Sequence, residues 1–155
     1  MIKSNWGLLS GEDQELSFIP LLQDRFMAAL PPEHSLNSSK SITWKDLSKV
    51  SYISLQKPSS IRQQIELILD EKGIFLSPSF EAHQLITIGK MVAEGLGVSI
   101  IPEVSAEQIQ SLGVTLRPIT SPKIERSIGI ILKKNRPIST PAKKLHNISL
   151  EYFKQ

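Results

Sequence analysis

The chain has 155 residues, of which 40% are hydrophobic and 21% charged, a formal net charge of +3 and no cysteine. This is ordinary globular composition, long enough for one hydrophobic core, and it excludes a disordered or collagen-like chain. The lack of cysteine excludes a disulfide scaffold, a zinc ribbon, an iron–sulfur site and a cysteine nucleophile.

No apolar run approaches the roughly 18 residues that cross a bilayer, and Met1-Ile2-Lys3-Ser4-Asn5-Trp6 lacks the long apolar stretch of a secretory signal. A cytoplasmic protein without a membrane contact is the expectation. Short apolar runs at 16–20 and 26–30 read as strands, the second stopped by Pro31-Pro32. Thr43-Trp44-Lys45-Asp46 has capping-box spacing, with aspartate in the usual Glu or Gln role, and opens a short helix. Residues 50–55, rich in Val, Ile and Tyr, read as a strand. Ser59 or Ser60 then caps a helix whose Ile61, Ile65, Ile68 and Leu69 form one apolar stripe, ended by Gly73.

Residues 74–80 are expected to form a strand weakened by Pro78. Leu85, Ile88 and Val92 mark the next helix, stopped by Gly95, and 98–101 form a short buried strand closed by Pro102. A helix over 105–112 with Gly113 behind it precedes strands at 114–119 and 127–132. The last helix covers 139–153, with Pro141 in its first turn and Ala142, Leu145, Ile148 and Tyr152 on one face. Strands and helices alternating at this spacing imply an α/β fold with a mostly parallel sheet.

Charge is unevenly placed: residues 1–119 carry 10 basic and 13 acidic side chains, residues 120–155 carry 8 and 2. A basic tail of this kind suits a nucleic-acid or acidic-lipid contact, but charges spread along a helix ordinarily face water. Catalytic signals are thin. His34, His83 and His146 are far apart, without metal-ligand spacing; His34, in a proline-flanked turn, and His146, among lysines, read as surface residues. There is no Gly-x-Ser-x-Gly elbow. Gly95-Leu96-Gly97 begins like a dinucleotide-binding turn, yet it follows a helix and opens a strand, the reverse of what phosphate cradling needs. The residues imply no enzyme, metal or cofactor.

Two places suggest binding. In Leu55-Gln56-Lys57-Pro58-Ser59-Ser60 a strand hands over to a helix, so unpaired helix N–H groups, two hydroxyls and a lysine gather, a set that suits an anion or carboxylate. Simple capping by a serine is the other account of the same residues. Phe80-Glu81-Ala82-His83-Gln84 enters the following helix in the same way. If the two strands are parallel neighbours, both helix starts lie at the carboxyl edge of the sheet, where open α/β sheets bind ligands.

The segment Leu-Ile-Thr-Ile-Gly-Lys-Met-Val-Ala-Glu-Gly-Leu-Gly-Val-Ser-Ile-Ile-Pro, residues 85–102, resembles the "lVaaGlGvaxlP" signature of LysR-type transcriptional regulators. Further pieces agree in order: Pro20-Leu21-Leu22-Gln23-Asp24-Arg25-Phe26 with the "pLxxdxl" crossover, and Pro31-Pro32-Glu33-His34-Ser35-Leu36 with the "pxxHPL" turn, Ser35 replacing the usual proline. Thr43-Trp44-Lys45-Asp46-Leu47 is similar to the short "xxxDL" helix, and Arg126 with Pro137-Ile138-Ser139-Thr140-Pro141-Ala142 to the "R…lxpxa" ending.

The resemblance implies an effector-binding domain with a periplasmic-binding-protein-like fold, in which two α/β subdomains joined by crossover strands hold a small metabolite. Residues 1–17 would be a remnant of the first subdomain, with its last strand near 5–11. Residues 18–120 would be the second subdomain, and 121–155 a returning crossover strand and helix. Its effector-site residues would be Gln56, Lys57, Ser59, Ser60, His83 and Gln84. The expected partners are a small-molecule effector, taken as a carboxylate, and a second copy of the chain in a homodimer. DNA would be met only through a helix-turn-helix that these 155 residues do not contain. The alternative reading is a lobe of a periplasmic-type solute-binding protein.

Overall fold

The computed structural model describes residues 15–121 and 123–153; the strand expected near 5–11 lies outside the described residues. Among the described residues, seven strands and five α-helices follow one another: β1 (Leu16–Leu30), β2 (Ile42–Thr43), α1 (Trp44–Leu47), β3 (Tyr52–Leu55), α2 (Ser60–Glu71), β4 (Pro78–Ala82), α3 (Leu85–Ala93), β5 (Val98–Pro102), α4 (Ala106–Gln110), β6 (Thr115–Thr120), β7 (Glu125–Lys133) and α5 (Thr140–Tyr152). The chain divides into two compact units, Arg25–Ile124 and a smaller one built from the segments on either side of it.

In the larger unit the strand order is β2-β6-β1-β5-β3-β4. β3 runs parallel to β4 and β5, and β2 parallel to β6, while β1 is antiparallel to both β5 and β6. Five of these six strands therefore share one direction, and β1 is the exception. Parallel neighbours cannot be joined by a tight turn, so α2 and α3 make the crossovers that their sequence spacing requires. One core gathers Phe26, Leu30, Trp44, Leu47, Tyr52, Ile65 and Leu69. The other gathers Ile53, Leu55, Ile88, Val92, Ile101 and Ile109.

Three expectations need correction. The runs 16–20 and 26–30 belong to one continuous strand, because the polar triplet between them is paired from the side. Gln23 Nε2 donates to Ser127 Oγ (2.9 Å), the Arg126 guanidinium meets the Asp24 carboxylate (2.6 Å) and Arg25 makes two bonds to Glu103 (2.8 and 2.6 Å). The strand expected at 74–80 is β4, shifted to Pro78–Ala82, because Ile74 instead donates to Leu69 O in closing α2. His34 is half-buried rather than exposed, its Nδ1 accepting the Leu36 N–H at 3.2 Å, and His146 is likewise half-buried.

Local signals otherwise act as their chemistry suggests. Gly95 lies just past α3 at φ +79°, the left-handed conformation a helix stop requires. A side chain on Gly97 would meet Ser51 O at 2.6 Å, so this pair makes a tight helix-to-strand turn and no phosphate cradle. In the smaller unit β7 pairs with β1 and α5 follows, N-capped by Ser139.

The capping box forms as read: Asp46 N–H donates to Thr43 Oγ1 (3.2 Å) and Thr43 N–H to Asp46 Oδ2 (3.0 Å). The Thr43 hydroxyl, with help from its N–H, holds the Asp46 carboxyl below the usual aspartate value. A depressed folded pKa means stability that is complete above the unfolded value and lost as pH falls through the folded one. Thr43→Ala is expected to cost about 1 kcal/mol at pH 7. That deficit should shrink as pH drops below the normal aspartate range, as chemical denaturation at pH 7 and pH 3 would show.

Candidate functional site

β3 is buried along all four residues and carries parallel partners on both sides, so its carboxyl end is placed by two ladders. The pairing with β4 runs Ile53 to Phe80, Ser54 to Glu81 and Leu55 to Ala82. One further bond, from Gln56 N–H to Ala82 O (3.0 Å), extends the ladder just past the strand ends. The two strand-to-helix junctions singled out in the sequence therefore begin side by side.

At the first junction, Lys57 and Pro58 are exposed and joined by a cis peptide bond. Ser59, not Ser60, is the N-cap of α2; its Oγ accepts the Arg62 N–H at 3.4 Å. Ser60 is exposed in the first turn. At the second junction His83 and Gln84 are exposed, and Gln84 N-caps α3 without a side-chain capping bond. The first-turn N–H groups of α3 have no acceptor within the helix and receive none from Gln84. The edge thus presents N–H groups, hydroxyls, an amide and an imidazole, which suit a small polar molecule with an anionic group.

Three residues at this edge were not anticipated. Arg62, on α2 and only 11% exposed, donates from Nη1 to Leu55 O (2.9 Å) and to the Glu81 carboxylate, and from Nε to Glu66 Oε1 (2.8 Å). Glu66 Oε2 in turn receives the Lys57 ammonium at 3.1 Å. The cation expected to await an anion already has a carboxylate partner. Burial by itself would lower the Arg62 pKa, but the bonds and charges of Glu66 and Glu81 outweigh it and raise the pKa. Burial opposes ionisation of Glu66 too, yet its bonds to Arg62 and Lys57 hold its carboxyl below the usual range. The i, i+4 spacing of Arg62 and Glu66 was visible in the sequence; Glu81 joins them only through the β3–β4 register.

An open recess of about 390 Å³ lies elsewhere, lined by Asn37, Ser38, Ser39, Lys40, Leu116, Arg117 and Pro118. The Arg117 nitrogens donate to the carbonyls of Ser39, Leu116 and Asn37, so that guanidinium ties the loop to β6. Among the described residues no group of three or more His, Asp or Glu could hold a metal ion, and no helix is long and apolar enough to cross a membrane.

Residues 7–154 match the family described as the LysR substrate binding domain. The HTH-type transcriptional regulator YybE of Bacillus subtilis is 25% identical over 143 residues, 92% of this chain but 48% of that protein. The chain thus spans about half the length of this curated relative. Among solved structures, the effector binding domain of QuiR in complex with shikimate superposes with a TM-score of 0.79 at 25% identity, over 93% of this chain and 68% of that one. The regulatory domain of CcmR from Synechocystis PCC6803 in complex with 2-PG gives 0.81 at 16% identity, over 93% and 70%. The α/β fold is that of these regulatory domains, which is periplasmic-binding-protein-like.

Arg62 ties α2 to the ends of β3 and β4, whereas Lys57 makes a half-exposed pair. Arg62→Met is therefore expected to lower stability by about 2 kcal/mol, and Lys57→Met by under about 1 kcal/mol. Urea denaturation of the two variants beside the parent chain would check that order.

Proposed function

Because the chain belongs to the LysR substrate-binding domain family, we propose that it is the effector-sensing domain of a LysR-type transcriptional regulator, binding a small anionic metabolite through Gln56, Lys57, Ser59, Ser60, His83 and Gln84. The observation that carries the site is the Gln56 N–H to Ala82 O bond, which starts both junctions at one sheet edge. Shikimate, named with QuiR, is a hydroxylated carboxylate, and 2-phosphoglycolate, named with CcmR, carries a carboxylate and a phosphate. Hydroxyls, helix N–H groups and one ammonium suit that chemistry.

The mechanism in this reading is a population shift. The effector stabilises the domain geometry to which it binds more tightly, and an intact regulator transmits that bias to its DNA-binding helices. The domain performs no turnover and acts in the cytoplasm, where the DNA is. DNA recognition belongs to a helix-turn-helix outside these residues, so a mobility-shift assay at physiological salt is expected to show no sequence-selective binding. Among the described residues, Leu145, Ile148 and Tyr152 of α5 stand 62–72% exposed on one face. An apolar patch of this kind favours self-association. A homodimer is the expected assembly, and a light-scattering mass of one chain at micromolar concentration would count against it.

The binding reading is tested by thermal unfolding with shikimate, 2-phosphoglycolate and other small carboxylates. A ligand at 100 times its Kd stabilises by about 2.7 kcal/mol, a rise of roughly 5–10 °C in Tm for a chain of this size. Ser60→Ala, which removes no capping bond, should leave the unliganded Tm unchanged and reduce that rise. An undiminished rise would remove Ser60 from the site.

A further inference from the structure

The Glu66 carboxylate faces two cations with different freedom. Its Oε1 receives Arg62 Nε at 2.8 Å, and Arg62 is itself held by Leu55 O and the Glu81 carboxylate, so this side of Glu66 is fixed. Its Oε2 receives Lys57 Nζ at 3.1 Å, and the Lys57 side chain is 63% exposed on a flexible stem. Lys57 lies in the same junction as Ser59 and Ser60 and is the ammonium assigned above to the effector's anionic group.

Resting on that reading of the site, we propose that Glu66 is an internal competitor for the effector: its carboxylate occupies the Lys57 ammonium, and the effector's carboxylate or phosphate binds by taking its place. The exchange is feasible because half-exposed ion pairs are weak, whereas Glu66 keeps its bond to Arg62 after Lys57 has left. The consequence is selectivity. A bare anion keeps only the difference between its own pair with Lys57 and the Glu66 pair it displaces. A ligand that also satisfies the serine hydroxyls and the helix N–H groups gains those contacts in addition.

The test is a titration with inorganic phosphate at constant ionic strength and pH 7, followed by the amide resonances of Ser59, Ser60, Leu85 and Ile86 in the parent chain and in variants. Glu66→Gln can still accept from Arg62 but no longer competes as an anion, so phosphate should bind about two- to fivefold more tightly, the span set by a half-exposed ion pair. Glu71→Gln makes the same charge change at the last residue of α2, roughly 16 Å along the helix from Ser60 at the site. Lying beyond the screening length, it should change affinity by less than about 1.5-fold. Lys57→Gln leaves Arg62 and Glu66 in place, should weaken the response at these amides at least threefold, and gives an answer even if Glu66→Gln does not fold.

Equal tightening by Glu66→Gln and Glu71→Gln, or no tightening by Glu66→Gln, overturns the competitor and leaves the site standing. An unchanged response in Lys57→Gln overturns the role of Lys57 and with it the competition. Perturbation confined to other amides in every variant overturns the site itself.

Discussion

β3 has a parallel neighbour on each side, and much of the larger unit follows from that constraint. A parallel pair needs a crossover, so the chain between β3 and β4 must return as α2, and that between β4 and β5 as α3. Each crossover helix begins where a strand ends. The carboxyl ends of β3 and β4 and the amino ends of α2 and α3 therefore collect at one edge, and polar N–H groups gather there without any residue having been chosen for chemistry. Burial of all four β3 residues keeps the arrangement in register, since a one-residue slip would move Ile53 and Leu55 out of their core and turn Tyr52 and Ser54 into it.

Charged side chains then refine what the backbone places. Arg62 is the hub: it reaches the end of β3 through Leu55 O, the end of β4 through Glu81 and its own helix through Glu66. A guanidinium can serve three acceptors in different directions because its donors fan out in a plane, which a lysine ammonium on the same stem would not reproduce. Glu66 passes the network on to Lys57, so the most exposed cation at the edge is coupled to the least exposed one. The edge is therefore a balanced set of charges and not a simple positive cradle.

The same principle explains where periodicity misled. Gln23, Asp24 and Arg25 interrupt the apolar pattern of β1, and three polar residues in a row read as a break between strands. Each finds a partner far away in sequence, on Ser127, Arg126 and Glu103. With the Asp24 side chain wholly buried against Arg126, the strand keeps its alternation of buried Asp24, Phe26, Ala28 and Leu30. The histidines misled in the opposite sense: His34 looked like an exposed turn residue, yet its ring nitrogen caps the short helical turn that follows.

Local residue patterns account for the alternation of strands and helices, the Thr43–Asp46 capping box, the glycine stops and the two candidate junctions. Each is written in residues within a turn or two of one another, where propensity and local hydrogen bonding decide. The family resemblance was legible for the same reason, since its motifs are contiguous. The continuity of β1 and its antiparallel run against β5 and β6, the choice of Ser59 over Ser60 as the α2 cap, and the pairing of Lys57 come from the folded chain alone. The β1 and Lys57 outcomes rest on contacts whose partners are separated in sequence or tied through the β3–β4 register, and the cap on which of two adjacent hydroxyls meets the Arg62 N–H. No local pattern records such meetings; they exist only once the core has fixed the strands side by side.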